Sequence, residues 1–106
     1  MQDLESLYQM VAARKANPKE GSYTDYLFTK GLDKILKKVG EETTEVIVAA
    51  KNEGTAELQY ETADLFYHLM VLLVEQGLTY DDIKEELGKR EGLMSDFKDR
   101  PEIKDL

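Results

Sequence analysis

The stretch Glu61-Thr-Ala-Asp-Leu-Phe-Tyr-His-Leu-Met-Val-Leu-Leu-Val74 decides the fold of this chain. It contains neither proline nor glycine, and it is long enough for about four helical turns. At about 100° per residue, its apolar side chains cover nearly the whole circumference, which predicts a helix buried on most sides. Glu61, Asp64 and His68 nevertheless share one strip of that helix. A buried carboxylate without a partner costs several kcal/mol, so we expect these groups to be paired, protonated or bound to a metal.

The composition restricts the possible classes of function. A chain of 106 residues predicts one domain, and a helix that is apolar all round predicts that a second copy supplies part of its cover. A formal net charge of −8 argues against binding to nucleic acids or anionic membranes, because both attract positive surfaces. Cysteine is absent, which excludes disulfides and thiolate metal sites. Without a signal-like or membrane-spanning segment, we expect a cytoplasmic protein.

Helical periodicity and the positions of proline and glycine divide the rest of the chain. They predict helices over residues 3–16, 22–30, 32–52 and 55–76, and a fifth from Thr79 to a point between Gly88 and Gly92. Ser22 with Asp25, and Thr79 with Asp82, have the spacing of helix-capping pairs. No stretch indicates a convincing strand, so the predicted class is an all-α antiparallel bundle of four to five helices.

The predicted bundle forms a single domain with a tail. We expect the helical domain to cover residues 1–92 and residues 93–106 to be loosely ordered, because their helical periodicity is weak. The helix over residues 32–52 has an apolar face of ordinary width, which is expected to point inward. That face consists of Ile35, Leu36, Val39, Val46, Ile47 and Ala50.

A second acidic pair lies on the helix predicted for residues 32–52. Glu42 and Glu45 are three residues apart and therefore share a face. A short connection around Gly54 makes this helix antiparallel to the next one, and the two acidic pairs lie at similar distances from the turn. Four carboxylates at one level repel each other unless a cation lies between them, and oxygen ligands favour Mg²⁺, or Mn²⁺, over zinc. The predicted metal ligands are Glu42, Glu45, Glu61 and Asp64.

Basic residues precede the first acidic pair by one to two helical turns, namely Lys34, Lys37 and Lys38. Cations beside a carboxylate-bound metal suit a polyphosphate substrate, so we predict that these lysines bind phosphate. The alternative is that the lysines only form ion pairs within their helix. On that reading Glu42 and Glu45 are solvated surface residues paired with Lys38.

Catalytic roles are predicted for Glu41, Glu45 and His68. For Glu41 the alternatives are an additional metal ligand or the base that takes a proton from water. His68 lies one turn beyond Asp64, where it could orient a carboxylate or carry a proton. The competing interpretation of His68 is a core histidine whose hydrogen bonds are satisfied within the fold.

Three stretches of the sequence carry a family resemblance. They are Ser22-Tyr-Thr24, Gly31-Leu-Asp-Lys-Ile-Leu-Lys-Lys-Val-Gly-Glu-Glu-Thr-Thr-Glu45 and Glu61-Thr-Ala-Asp-Leu-Phe-Tyr-His-Leu69. Over roughly residues 4–90 the chain resembles the phosphoribosyl-ATP pyrophosphatases of histidine biosynthesis, which belong to the MazG-like all-α nucleotide pyrophosphohydrolases. The Glu-x-x-Glu and Glu-x-x-Asp core is common to that whole superfamily. The run from Lys34 to Glu45, with Tyr67-His68-Leu69, is more specific to this member.

The resemblance implies Mg²⁺-dependent hydrolysis of phosphoribosyl-ATP to phosphoribosyl-AMP and pyrophosphate by a homodimeric MazG-like bundle. It also implies metal binding by the four acids and phosphate binding by the lysines named above. Thr43 stands where the family usually has alanine, and the tail beyond about Glu91 has no counterpart in the family pattern. Two alternatives stay open: a house-cleaning hydrolase of nucleoside triphosphates, and a metal-binding helical module without catalysis.

Overall fold

Five helices form the part of the chain that the computed structural model describes, residues 2–91. They are α1 (Leu4–Ala16), α2 (Tyr23–Lys30), α3 (Leu32–Lys51), α4 (Ala56–Gln76) and α5 (Tyr80–Lys89). These residues contain no strand, so the predicted all-α class is confirmed. None of the described helices combines the length and apolarity needed to cross a membrane. The predicted tail, residues 93–106, lies outside the described residues.

Local sequence signals explain where several helices begin and end. The Thr79 hydroxyl accepts from the backbone N–H of Asp82, and the Asp82 carboxylate accepts from the backbone N–H of Thr79, each over 3.0 Å. The capping pair predicted there is therefore present. At α2 the Ser22 hydroxyl accepts from the backbone N–H of Asp25, but the Asp25 carboxylate accepts from the preceding loop instead. Gly77 ends α4 with φ 74°, a left-handed conformation that glycine adopts without steric cost.

The hydrophobic core lies where α1, α2, α3 and α4 meet. Its buried apolar side chains are Val11, Leu27, Ile35, Met70 and Val71. Helix α4 packs along α3 and also along α1, so the stretch of sequence quoted first is the central helix of the described chain. Because a short connection joins α3 to α4, the two helices run antiparallel and bring equivalent turns side by side.

Several large apolar side chains of α3 and α4 stay exposed in the single chain. Ile47 is 62 % exposed, Val48 is 56 % exposed and Phe66 is 41 % exposed. Within residues 61–74 of α4, only Ala63 and Phe66 are exposed, and the others are buried or partly buried, as expected for this helix. Three α3 side chains predicted to point inward are also exposed, namely Leu36, Ile47 and Ala50, whereas Ile35 is buried. The physical reason is that α1 and α2 cover only part of the α3–α4 pair.

Candidate metal centre

Helices α3 and α4 bring their acidic residues together at one level. Carboxylate oxygens of Glu42, Glu45 and Glu61 lie within 4.8 Å of one another. Ligand atoms of Glu42, Asp64 and His68 form a second group of the same size. The i, i+3 spacing on each helix places both members of a pair on one face, and antiparallel packing sets the two faces against each other. Glu42 belongs to both groups and is therefore the centre of the cluster.

Two carboxylate oxygens of the cluster are buried without a partner. Glu42 is only 3 % exposed, and its Oε2 atom has no hydrogen-bond partner among the described residues. The Oε2 atom of Glu61 is also buried without a hydrogen-bond partner among these residues. Such an atom is costly to bury, and a bound cation would satisfy it. The donor set is dominated by carboxylate oxygen and contains no sulfur, which fits Mg²⁺ or Mn²⁺.

The acids of the cluster alter each other's pKa in the metal-free state. Burial, with hydrogen bonds and repulsion from Glu45 and Asp64, raises the pKa of Glu42 to about 7. A hydrogen bond to Glu45 raises the pKa of Glu61. Hydrogen bonds from Glu61 and Glu42 lower the pKa of Glu45. Without a cation the cluster therefore disfavours the ionised forms of Glu42 and Glu61 and favours that of Glu45.

The three lysines of α3 lie in different environments. Lys38 reaches the cluster, with its Nζ 3.5 Å from Oε1 of Glu42 and 3.4 Å from Oε2 of Glu41. Burial acts to lower the pKa of Lys38, but neighbouring Tyr23, Glu41 and Glu42 raise it, so this side chain keeps its charge. The structure thus includes the ion pairs expected within the helix, yet Glu42 is buried rather than solvated.

Lys34 and Lys37 do not touch the acids within residues 2–91. The Nζ of Lys34 lies 5.8 Å from the ring centroid of Tyr26, one helical turn before Lys38 on the same strip. Lys37 is exposed and forms no ion pair with any described residue. Glu41 is exposed and pairs with Lys38 at the edge of the cluster. The roles predicted for these residues remain predictions.

The imidazole of His68 is 2 % exposed and fully hydrogen-bonded. Its Nδ1 lies 2.8 Å from the backbone oxygen of Asp64 and 3.4 Å from Oδ1 of the same residue. Its Nε2 lies 3.0 Å from the hydroxyl of Tyr23. The neighbouring hydroxyls of Thr24 and Tyr67 also bond to each other.

Sequence reasoning assigned no role to Tyr23, Thr24 or Tyr67. The signal was nevertheless present, because these residues stand in the stretches that carry the family resemblance. Their side-chain contacts join α2 to α4 across more than 40 residues of sequence. Contacts between distant positions do not follow from helical spacing.

The described chain is an all-α protein with a cluster of carboxylates between two antiparallel helices, an arrangement that could hold a divalent cation. The particular family follows from comparison with known proteins. The family model described as phosphoribosyl-ATP pyrophosphohydrolase matches residues 4–91. The chain belongs to the phosphoribosyl-ATP pyrophosphohydrolase family, as its motifs predicted.

The relatives are similar over their full lengths. A phosphoribosyl-ATP pyrophosphatase from Limosilactobacillus fermentum (strain NBRC 3956 / LMG 18251) is 99 % identical over 106 residues, which is 100 % of both chains. A protein of the same name from Lactiplantibacillus plantarum is 74 % identical, again over 100 % of both chains. Another from Listeria innocua is 61 % identical over 97 % of this chain and 99 % of the relative.

Proposed function

We propose that this chain hydrolyses phosphoribosyl-ATP to phosphoribosyl-AMP and pyrophosphate, the second step of histidine biosynthesis. The substrate follows from relatives that carry the name phosphoribosyl-ATP pyrophosphatase and match the chain from end to end. The single observation that carries the chemistry is the buried, unpartnered Oε2 atoms of Glu42 and Glu61 inside a four-acid cluster. A substrate of this kind is an ATP derivative that cells make and consume internally, so we propose a cytoplasmic location.

The residues proposed to hold Mg²⁺, or Mn²⁺ in its place, are Glu42, Glu45, Glu61 and Asp64. A bound ion would offset the negative charge of the carboxylates and supply Lewis-acid chemistry for the attack of water on the polyphosphate. The protein would supply the rigid frame, because α3 and α4 carry two ligands each. Glu42 is the most buried of the four and would anchor the ion from the floor of the site.

The lysine strip of α3 is proposed to bind the triphosphate. Lys38 would stabilise negative charge next to the cluster, since its Nζ already lies beside Glu41 and Glu42. Lys34 lies one turn further along the same strip and would contact a more distant phosphate. Lys37 points off this strip, so its proposed contribution is to the general attraction of an anionic substrate rather than to a direct contact.

The proton released by the attacking water needs an acceptor. Among the three candidates, His68 has both ring nitrogens engaged in hydrogen bonds, and Glu41 is held by Lys38. Glu45 is exposed at the edge of the cluster, where water can reach its carboxylate. We therefore propose Glu45 as the proton acceptor, in addition to its contact with the ion.

A homodimer is proposed to cover exposed apolar side chains of α3 and α4. Several large apolar side chains are exposed there, namely Leu36, Ile47, Val48, Tyr60 and Phe66. Burial of such a surface is the usual driving force for stable association. Ile47→Glu would place a charge in this surface, so sedimentation should show a larger monomer fraction than for the unaltered protein. Unchanged association of the Ile47→Glu protein would contradict a dimer built on these side chains.

The function is tested by measuring pyrophosphate release from phosphoribosyl-ATP in the presence of Mg²⁺ and in EDTA. ATP is the matched control substrate, because it has the same triphosphate without the second phosphoribosyl group. We expect rapid release from phosphoribosyl-ATP with Mg²⁺ only. Release from nucleoside triphosphates alone would make the chain a house-cleaning hydrolase, and metal binding with no release from any nucleotide would make it a non-catalytic module.

A further inference from the structure

Each ring nitrogen of His68 has a defined partner within the protein. Nδ1 lies 2.8 Å from the backbone oxygen of Asp64, and a carbonyl oxygen can only accept a hydrogen bond. Nδ1 must therefore carry the proton and donate it. In the neutral ring Nε2 is then the acceptor, so the hydroxyl of Tyr23 donates to it over 3.0 Å.

Tyr23 is 46 % exposed, and its ring contacts place the hydroxyl in that position. Tyr23 opens α2, and its ring stacks on Tyr67 with centroids 6.2 Å apart and meets the edge of the His68 ring at 5.8 Å. The hydroxyls of Thr24 and Tyr67 form a second bond between the same turn of α2 and α4. Burial raises the pKa of Tyr23, which keeps its hydroxyl protonated and able to donate.

On the basis of the function proposed above, we propose that Tyr23 is a positioning residue for the metal-binding carboxylate of Asp64. Together with the backbone oxygen of Asp64, the Tyr23 hydroxyl favours the His68 tautomer with the proton on Nδ1, because it donates to the unprotonated Nε2. That N–H faces Oδ1 of Asp64 at 3.4 Å as well as the backbone oxygen, and so orients the carboxylate towards the cluster. Outer hydrogen bonds of this kind fix the orientation of metal ligands and raise metal affinity. His68 then acts on the site through its hydrogen bonds, not as a ligand or a base.

Tyr23→Phe is the direct test, because it removes only the hydroxyl and keeps the stacked ring. Tyr26→Phe is the matched control: Tyr26 stacks on Tyr23 with centroids 6.0 Å apart, and within residues 2–91 its hydroxyl forms no hydrogen bond. Circular dichroism and thermal unfolding of both variants verify that the helices are intact.

The first measurement is the ¹⁵N spectrum of the imidazole in metal-free protein. The chain contains one histidine, so its two ring nitrogens give unambiguous signals. The unaltered protein should show a protonated Nδ1 and an unprotonated Nε2, the reverse of the tautomer that free neutral histidine favours. Tyr23→Phe should shift the population towards protonated Nε2, and Tyr26→Phe should leave the spectrum unchanged. A protonated Nε2 in the unaltered neutral ring would overturn the proposal.

The second measurement is the dissociation constant for Mn²⁺, followed by electron paramagnetic resonance without substrate. Tyr23→Phe should weaken binding about tenfold, whereas Tyr26→Phe should stay within about twofold of the unaltered protein. Unchanged Mn²⁺ affinity in Tyr23→Phe, or no Mn²⁺ binding by the unaltered protein, would overturn the proposal. If the imidazole and Mn²⁺ results hold while phosphoribosyl-ATP is not hydrolysed, the proposed function fails and the role of Tyr23 stands.

Discussion

Glu42→Gln is expected to stabilise the metal-free protein at about pH 8, because glutamine nearly reproduces the shape of glutamate without its charge. Glu42 is 3 % exposed, and burial is the first cause that raises its pKa from 4.5 to about 7. A pKa difference of this size corresponds to about 3 kcal/mol of unfolding free energy. The raised pKa is shared with the neighbouring acids, and the glutamine amide of the variant also needs hydrogen-bond partners when buried. We therefore expect Glu42→Gln to raise the free energy of unfolding by between about 1 and 3 kcal/mol.

The direction of the pH dependence follows from the pH at which Glu42 loses its proton in the unfolded and in the folded chain. The unfolded chain releases this proton near the ordinary value of 4.5, whereas the folded metal-free chain retains it up to about 7. The stabilisation from the protonated form is complete below 4.5 and is lost as the pH rises through about 7. The advantage of Glu42→Gln should therefore be largest at about pH 8 and mostly absent at about pH 4.5.

Urea unfolding in EDTA at both pH values, at one fixed protein concentration, measures the effect. Glu41→Gln is the matched control, because Glu41 pairs with the same lysine from the exposed surface. Its effect should stay within about 0.5 kcal/mol at both pH values. Added Mg²⁺ should stabilise the unaltered protein and have little effect on Glu42→Gln.

Two results would refute the reasoning about Glu42. One is a Glu42→Gln protein that is no more stable than the unaltered protein in EDTA at about pH 8. The other is a gain of equal size at about pH 4.5, because that gain would come from packing and not from charge. Either result would mean that ionising Glu42 in the metal-free cluster does not lower the free energy of unfolding.

Three further outcomes are expected. Asp64→Asn should lower kcat/KM for phosphoribosyl-ATP at least about 100-fold with the helices intact, whereas Glu57→Gln, one turn before Glu61 on α4, should retain activity in the same pyrophosphate assay. Leu27→Ala should cost about 2 to 5 kcal/mol in urea unfolding because Leu27 is 0 % exposed, and Leu87→Ala, 55 % exposed, should cost under about 0.5 kcal/mol. Hydrogen bonds from the Thr79 backbone and hydroxyl lower the pKa of Asp82 below 3.8. The stability that ionised Asp82 adds to the fold is therefore present above pH 3.8 and is lost as the pH falls further. In Asp82→Asn, the free energy of unfolding should fall less steeply over this acid range.

Much of the fold could be predicted from local spacing. Apolar periodicity located all five helices, and Gly77 and Thr79 marked the junction between α4 and α5. Local signals succeed here because hydrogen bonds within a helix and at its ends join residues three or four apart. The extent of burial was predicted less well, as Leu36 and Ile47 show, because it depends on which neighbours cover a helix.

The sequence by itself determined the helices and the acidic pairs, since the i, i+3 spacing of Glu42 and Glu45 fixes a shared face whatever surrounds it. Only the tertiary structure decided that Glu42 is buried at the centre of the cluster and that Tyr23 bonds to His68. The physical reason is that helical spacing sets the direction of a side chain around its own axis. Helix packing and side-chain rotamers determine which atom of another helix it meets.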